Sequence, residues 1–234
     1  MSNAARRFAD LATPDTSPVV RLFTPPGVFR PRPDSWMLAR ALRAERLRPG
    51  SRVLDVCTGS GVLAVTAALD GARATAVDVS RRAVLCAALN ARLNGVRVRA
   101  LRGDLLAPVR GERFDAIVSN PPYLPAEDDA PPTHGPRRAW DAGRDGRAVL
   151  DRLCAEAPSH LDRGGVLLLV HSSLCDTEAT LSALDAGGLR TEIAARHRGV
   201  LGPLLRARAP ALEARGLLAT GEREEDVVVV RAAA

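Results

Sequence analysis

Short apolar runs alternate with stretches of helical spacing along most of this chain. Arg52–Cys57, Ala74–Val79, Val96–Leu101, Phe114–Ser119, Val166–Val170 and Arg190–Ala195 are brief and rich in Val, Ile, Leu and Ala, and they read as strands. Helical patterns lie between them over Val62–Leu69, from Ser80 to about Asn94, over Ala148–Ser159 and over about 177–186, with Ser80 as an N-cap. An earlier helix is predicted after a proline-rich turn over 25–33. It would be capped by Asp34-Ser35, present Trp36, Leu38, Ala39 and Leu42 on its apolar side, and stop at Pro49-Gly50. Continuous apolar strands separated by helices imply an α/β fold with a mostly parallel sheet covered on both faces. A last apolar run, Val227–Val230, is expected to pair antiparallel with its predecessor at the sheet's edge, giving seven strands.

No internal repeat and no linker divides the pattern, so one domain over 21–234 is expected, preceded by a flexible segment over 1–20. Residues 199–221 interrupt the rhythm before the last strand. With Arg206, Arg208 and Arg215 beside Leu204, Leu205 and Leu212, this variable insert reads as a helical hairpin over the sheet edge, and as a substrate arm in the alternative.

Composition changes this picture in three ways. Aromatic residues make up only 3% of the 234 residues, so the core must be built from Val, Leu and Ala. All 33 basic residues are Arg, which reads first as a bias of the coding sequence; the net charge of +6 is a mild pull toward an acidic partner such as nucleic acid or a ribosome-bound factor. Cys57, Cys86, Cys154 and Cys175 are scattered without disulfide or metal-type spacing, so no metal is expected and a reducing compartment is. No apolar run approaches the length that spans a bilayer, and no signal core opens the chain, so a cytoplasmic protein without a membrane partner is expected.

Candidate chemistry gathers at the strand ends. The first strand runs into Asp55-Val56-Cys57-Thr58-Gly59-Ser60-Gly61, whose glycines permit a tight turn and close approach of a ligand as the next helix opens. Gly59 and Gly61 also satisfy a dinucleotide pattern, with Asp78 positioned to hold a ribose. Asp55 favours a different cofactor, one carrying an amino group and a sulfonium, because a carboxylate in the strand sits poorly beside a pyrophosphate. Asp104 and Leu105 after the third strand stand at the height where an adenine edge is read. The fourth strand delivers Asn120-Pro121-Pro122-Tyr123. Each proline fixes φ and lacks an N–H, so the Asn120 side chain and a neighbouring backbone carbonyl form two acceptors on a stiff mount, with Tyr123 as a stacking face. Such a pair suits the NH2 of a planar amide or an exocyclic amine.

This series of Asp55, Gly59, Gly61, Asp78, Asp104 and Asn120–Tyr123 resembles the class I S-adenosylmethionine-dependent methyltransferases, which share a Rossmann-like domain. Within them it is similar to the HemK-like N5-glutamine methyltransferases of release factors. Two flanking segments strengthen the resemblance: Phe29-Arg30-Pro31-Arg32-Pro33-Asp34-Ser35, and His134-Gly135 with Ala139-Trp140-Asp141-Ala142-Gly143-Arg144-Asp145-Gly146-Arg147. The resemblance implies S-adenosyl-L-methionine as cofactor, held by Ser35, Asp55, Thr58, Gly59, Gly61, Asp78, Val79, Asp104, Leu105 and Asn120. It implies catalysis at Asn120, Pro121, Pro122 and Tyr123, and Phe29 and Trp140 against the substrate. It further implies a release factor as protein substrate, a small activating subunit as partner, and the short branch of the family without an N-terminal helical domain. Phe29 departs from the Tyr usual at its position. An N6-adenine or other RNA or DNA acceptor, a peptide or small-molecule natural product, a cofactor-binding scaffold and a nicotinamide dehydrogenase are the competing readings.

Overall fold

The computed structural model describes residues 19–234, so the segment expected to be flexible lies, but for Val19 and Val20, outside the described residues. Helix α1 (Pro33–Ala44) precedes a run of β1 (Arg52–Val56), α2 (Val62–Leu69), β2 (Arg73–Asp78), α3 (Arg81–Leu93), β3 (Val98–Arg102) and β4 (Phe114–Ser119). There follow α4 (Leu150–Glu156), β5 (Leu161–Ser172), α5 (Thr177–Ala186), β6 (Arg190–Val200), α6 (Pro203–Ala214) and β7 (Glu224–Ala233). The seven strands form one sheet in the order β3-β2-β1-β4-β5-β7-β6, parallel through β5, with β7 antiparallel to both of its neighbours.

The period of two along each strand divides the core between the two faces. Leu54 and Val56 of β1, Ile117 of β4 and Leu167 and Leu169 of β5 join Leu150, Leu153 and Leu184 under α4 and α5. Val53, Ala116, Val118, Leu168 and Val170 face the other way, onto Leu38, Leu42, Leu63 and Ala67 of α1 and α2. Asp55 shares the parity of Val53, so its carboxylate is directed toward the α1–α2 face. Chain order reverses between β1 and β4, and open sheets of this kind form their ligand crevice at the carboxyl ends beside such a reversal.

Four expectations are corrected. The edge strand is β6, and β7 is inserted beside β5. Val228, Val229 and Val230 are buried on both faces, as an inner strand requires, whereas Arg196, His197 and Arg198 of β6 tolerate the exposed margin. Trp36 is 41% exposed; α1 turns Leu38, Ala39, Ala41 and Leu42 to the core. Pro33 takes the first helical position and Arg32 becomes the N-cap, which carries Asp34 and Ser35 into the first turn and buries both. The segment 199–221 contains a single helix, α6, over its own small core of Leu201, Leu205, Ala209, Leu212 and Leu218.

Gly61 explains the close seat of α2 on α3. Its φ is +83°, and a Cβ there would stand 2.7 Å from Ala87 Cβ and 2.8 Å from Ala87 Cα. Gly61→Ala is therefore expected to cost about 2–3 kcal/mol, from left-handed strain and overpacking together. Thermal denaturation checks this, and an unchanged melting temperature would mean that the helices separate freely.

Among the described residues, no helix is long and apolar enough to cross a membrane, and no group of His, Cys, Asp and Glu could hold a metal ion.

Candidate active site

Two adjoining cavities open at the carboxyl ends of the strands. The first, about 680 Å³, is lined by Gly59, Asp78, Val79, Asp104, Leu105 and Asn120, with Phe29 at its side. The second, about 530 Å³, is lined by Asn120, Pro121, Tyr123, Trp140, Asp34 and Glu225, again with Phe29. Asn120 and Phe29 line both, so they stand at the passage between them.

The floor of the first cavity is a carboxylate-braced glycine loop. Asp55 is fully buried, and its Oδ2 accepts from Thr58 Oγ1 at 2.5 Å and from the Ala64 N–H at 3.1 Å. Its Oδ1 is buried without a partner. Burial dominates the electrostatics and pushes the carboxyl pKa up to about 7, against the pull of those two donors. Asp78 accepts from the Gly59 N–H at 3.0 Å and the Ser80 N–H at 2.8 Å, which ties the loop to the start of α3. Burial raises its pKa too. Each oxygen of Asp78 keeps a lone pair for a hydroxyl donor. Val79, 42% exposed, and Leu105 supply flat apolar surface next to it. Asp104 is paired with Arg152 at 2.7 Å, so a ligand reading that carboxylate meets it as half of an ion pair.

These residues fit S-adenosylmethionine. The cavity has room for a nucleoside with a side chain, and Asp78 meets the need of a ribose diol; Asp55 is fully buried and not on the cavity wall, and its Oδ1 is an orphaned polar atom that a positive charge or a donor would complete. Gly59 leaves room for a ligand beside the loop, whereas Gly61 is explained by helix packing instead.

The second cavity is organised by the turn after β4. Ser119 Oγ donates to the Val56 carbonyl at 2.8 Å and fixes where the turn begins. Asn120 Nδ2 donates to Ser35 Oγ at 3.0 Å, and Tyr123 Oη donates to Asp34 Oδ2 at 2.8 Å. Ser35, expected beside the cofactor, thus spends its hydroxyl on the turn. Burial, and then the Asp34 carboxylate, hold the Tyr123 phenol well above its ordinary pKa. The loop beyond the turn folds back against it: Leu124 N–H donates to the Trp140 carbonyl at 2.7 Å and Ala142 N–H to the Leu124 carbonyl at 3.0 Å, which brings Trp140 beside Tyr123. Gly146 permits this return, because a Cβ there would lie 2.3 Å from the Tyr123 carbonyl.

Several residues that build this site were given no role in it by the sequence. Asp34 read as a cap and as part of a flanking segment, and Glu225 lay outside the expected last strand, which in the structure begins at Glu224. Arg208 on α6 donates to the Pro125 carbonyl at 2.7 Å and pairs with the fully buried Asp141 at 2.8 Å; Arg215 donates to the Ala126 carbonyl at 3.0 Å. These bonds fasten α6 over the loop, so that Pro203 and Leu204 form a wall of the second cavity. Arg208→Ala leaves Asp141 with Arg137 alone, at 2.6 Å. The expected cost is about 2–3 kcal/mol of stability together with a weaker grip on the acceptor, read as a lower melting temperature and a raised KM. A variant with both unchanged would separate α6 from the site.

Comparison with known proteins agrees with this geometry. Residues 20–187 match the family model of the methyltransferase small domain. Over 178 residues the chain is 36% identical to a protein of Methanocaldococcus jannaschii provisionally named a protein N5-glutamine methyltransferase, which covers 76% of this chain and 88% of that one. It is 45% identical over 157 residues to the release factor glutamine methyltransferase of Deinococcus radiodurans, with 64% of this chain and 56% of that one covered. The chain thus spans little more than half the length of that bacterial relative. In three dimensions it is similar to the E. cuniculi Mtq2–Trm112 complex, described as methylating the translation termination factor eRF1, with a TM-score of 0.61, 23% identity, and 88% of this chain and 98% of that one covered. At that identity the likeness speaks for the fold alone.

Proposed function

The chain belongs to the methyltransferase small-domain family and is an S-adenosylmethionine-dependent methyltransferase, and from that premise we propose that its acceptor is a glutamine side-chain amide in a translation release factor. The observation that carries this reading is the position of Asn120 on both cavities with its Nδ2 already bonded to Ser35, which leaves Oδ1 as an acceptor. The names of the relatives support it.

In this reading Asp78 holds the ribose, Val79 and Leu105 flank the adenine, and Asp55 answers the ammonium. Bound there, the cofactor supplies an electrophilic methyl group. A primary amide nitrogen is a weak nucleophile because its lone pair is delocalised into the carbonyl. Asn120 Oδ1 and the Pro121 carbonyl accept its two N–H bonds, which orients the nitrogen and concentrates electron density on it. Tyr123, Phe29 and Trp140 enclose the planar group and exclude water. The N-methylated amide is strongly acidic while cationic, so its surplus proton leaves without a dedicated base. A small partner subunit belongs to the proposal as well; the E. cuniculi structure of similar fold is that of an Mtq2–Trm112 complex.

The test offers labelled S-adenosylmethionine with a purified release factor, ribosomal RNA and a cell extract in parallel. The expected product is N5-methylglutamine in the release factor, identified by mass spectrometry. Label on RNA alone would overturn the acceptor while keeping the enzyme class.

A further inference from the structure

The hydrogen bonds between α1 and the turn favour one distribution of protons. Asp34 as a carboxylate can only accept. Its Oδ2 takes the Tyr123 hydroxyl proton at 2.8 Å, and its Oδ1 takes the Ser35 N–H at 2.6 Å. Ser35 Oγ lies 3.2 Å from the same Oδ1, so the single hydroxyl proton of Ser35 is committed there. The lone pairs of Ser35 Oγ are then left to receive, and they receive the Arg32 N–H at 3.3 Å and an N–H of Asn120 at 3.0 Å. An amide turned the other way would bring Asn120 Oδ1 against Ser35 Oγ and draw the serine proton away from Asp34. The orientation of Asn120 therefore follows from the carboxylate two bonds away.

We propose that Asp34 and Ser35 form a polarity clamp: they fix which end of the Asn120 amide faces the reacting group, and they act as positioning residues through Asn120. The kinetic part of this proposal rests on the amide-acceptor reading above; the structural part does not. Ser35 is buried and lines neither cavity, whereas Asp34 also faces the second cavity, so the serine hydroxyl is the part of the pair closed to water. The pair sits in the first turn of α1, where Pro33 fixes the backbone, so the clamp is as rigid as the helix that carries it. Tyr123 is bound to the same carboxylate, so one residue holds both ends of the turn in register.

The experiment compares the unaltered protein with Ser35→Ala and Ser35→Thr. Asparagine-selective 15N labelling, with Asn120→Ala to assign the signal, reports the two side-chain amide protons of residue 120 directly. In the unaltered protein they should differ strongly in shift and exchange rate, because one is bonded and one end is locked. Ser35→Ala should narrow the difference and speed exchange of the bonded proton at least tenfold; Ser35→Thr, which keeps the hydroxyl, should restore it. In parallel, Ser35→Ala should lower kcat about tenfold, the equivalent of one oriented hydrogen bond, with the Kd for S-adenosylhomocysteine within a factor of two, and Ser35→Thr should recover most of kcat. Asn120 signals unchanged by Ser35→Ala, or a kcat lost equally in both variants, would overturn the clamp. If the unaltered protein methylates no release factor, the acceptor reading fails while the amide signals still decide the clamp.

Discussion

Asn120→Ala is expected to lower single-turnover methyl transfer by about 10²–10³-fold while changing cofactor affinity by no more than a few fold. The asymmetry follows from the geometry. Asn120 lies on both cavities, but the first keeps Asp78, Val79, Leu105 and the glycine loop without it. The second loses its side-chain acceptor, and the Pro121 carbonyl alone cannot hold both N–H groups of a planar amide. The fold should survive, because the residue is half-buried and its one lost partner, Ser35 Oγ, still receives the Arg32 N–H. Asn120→Asp is expected to be equally impaired. It keeps an oxygen toward the acceptor, but its second oxygen meets a serine whose proton already belongs to Asp34. Rapid-quench kinetics with calorimetric cofactor titration separate the two effects. Turnover within threefold of the unaltered protein would remove Asn120 from the chemistry.

The residues that make these arguments differ in how visible they are in the sequence. Asp55, Asp78 and Asn120 stand out as polar residues in or just after continuous apolar runs, and a parallel sheet collects the ends of such runs along one edge. Helix α2 and strand β4 begin and end as the apolar pattern says. The order of β6 and β7 did not follow, since an antiparallel pair satisfies its pattern with either member outermost. Helix α4 stops at Glu156, short of the expected end, because Pro158 lacks the N–H for another turn and the chain tightens into a 3-10 segment over 157–160. Asp34 with Tyr123 and Arg208 with Asp141 are pairs between distant segments, and periodicity carries no information about which distant side chains meet. Gly61 was visible as a glycine, but its reason, the Ala87 backbone behind it, was not.

Asp55→Asn is expected to make the fold more stable at pH 8 and the cofactor site worse. In the folded chain the carboxyl titrates at about 7, against an ordinary value of 3.8. Between those two values the folded state holds a proton that the unfolded state has released. Stability therefore falls as pH rises from about 4 to about 7 and is level above, by roughly 4 kcal/mol if the full difference of about three pH units is realised. The amide variant keeps an oxygen for Thr58 Oγ1 and the Ala64 N–H and removes the titration. Its NH2 takes the place of Oδ1, where no partner waits, which returns about 1–3 kcal/mol of the gain. A net gain of about 1–3 kcal/mol at pH 8, shrinking or reversing near pH 4, should appear in denaturant titrations. Asp78 and Glu225 are also raised by burial and slope the same way, so the difference between the two proteins, not the profile of either, isolates Asp55. The same orphaned oxygen gives the opposite sign for binding. A cationic cofactor favours the carboxylate, so its affinity should climb as pH rises to about 7, binding near pH 6 should expel a proton, and Asp55→Asn should lose about 10–100-fold in affinity along with that proton. Calorimetry in two buffers of different ionisation heat measures the released proton. Equal heats in both buffers would mean that Asp55 is already ionised before the cofactor arrives, and the stability gain of the variant would vanish with it.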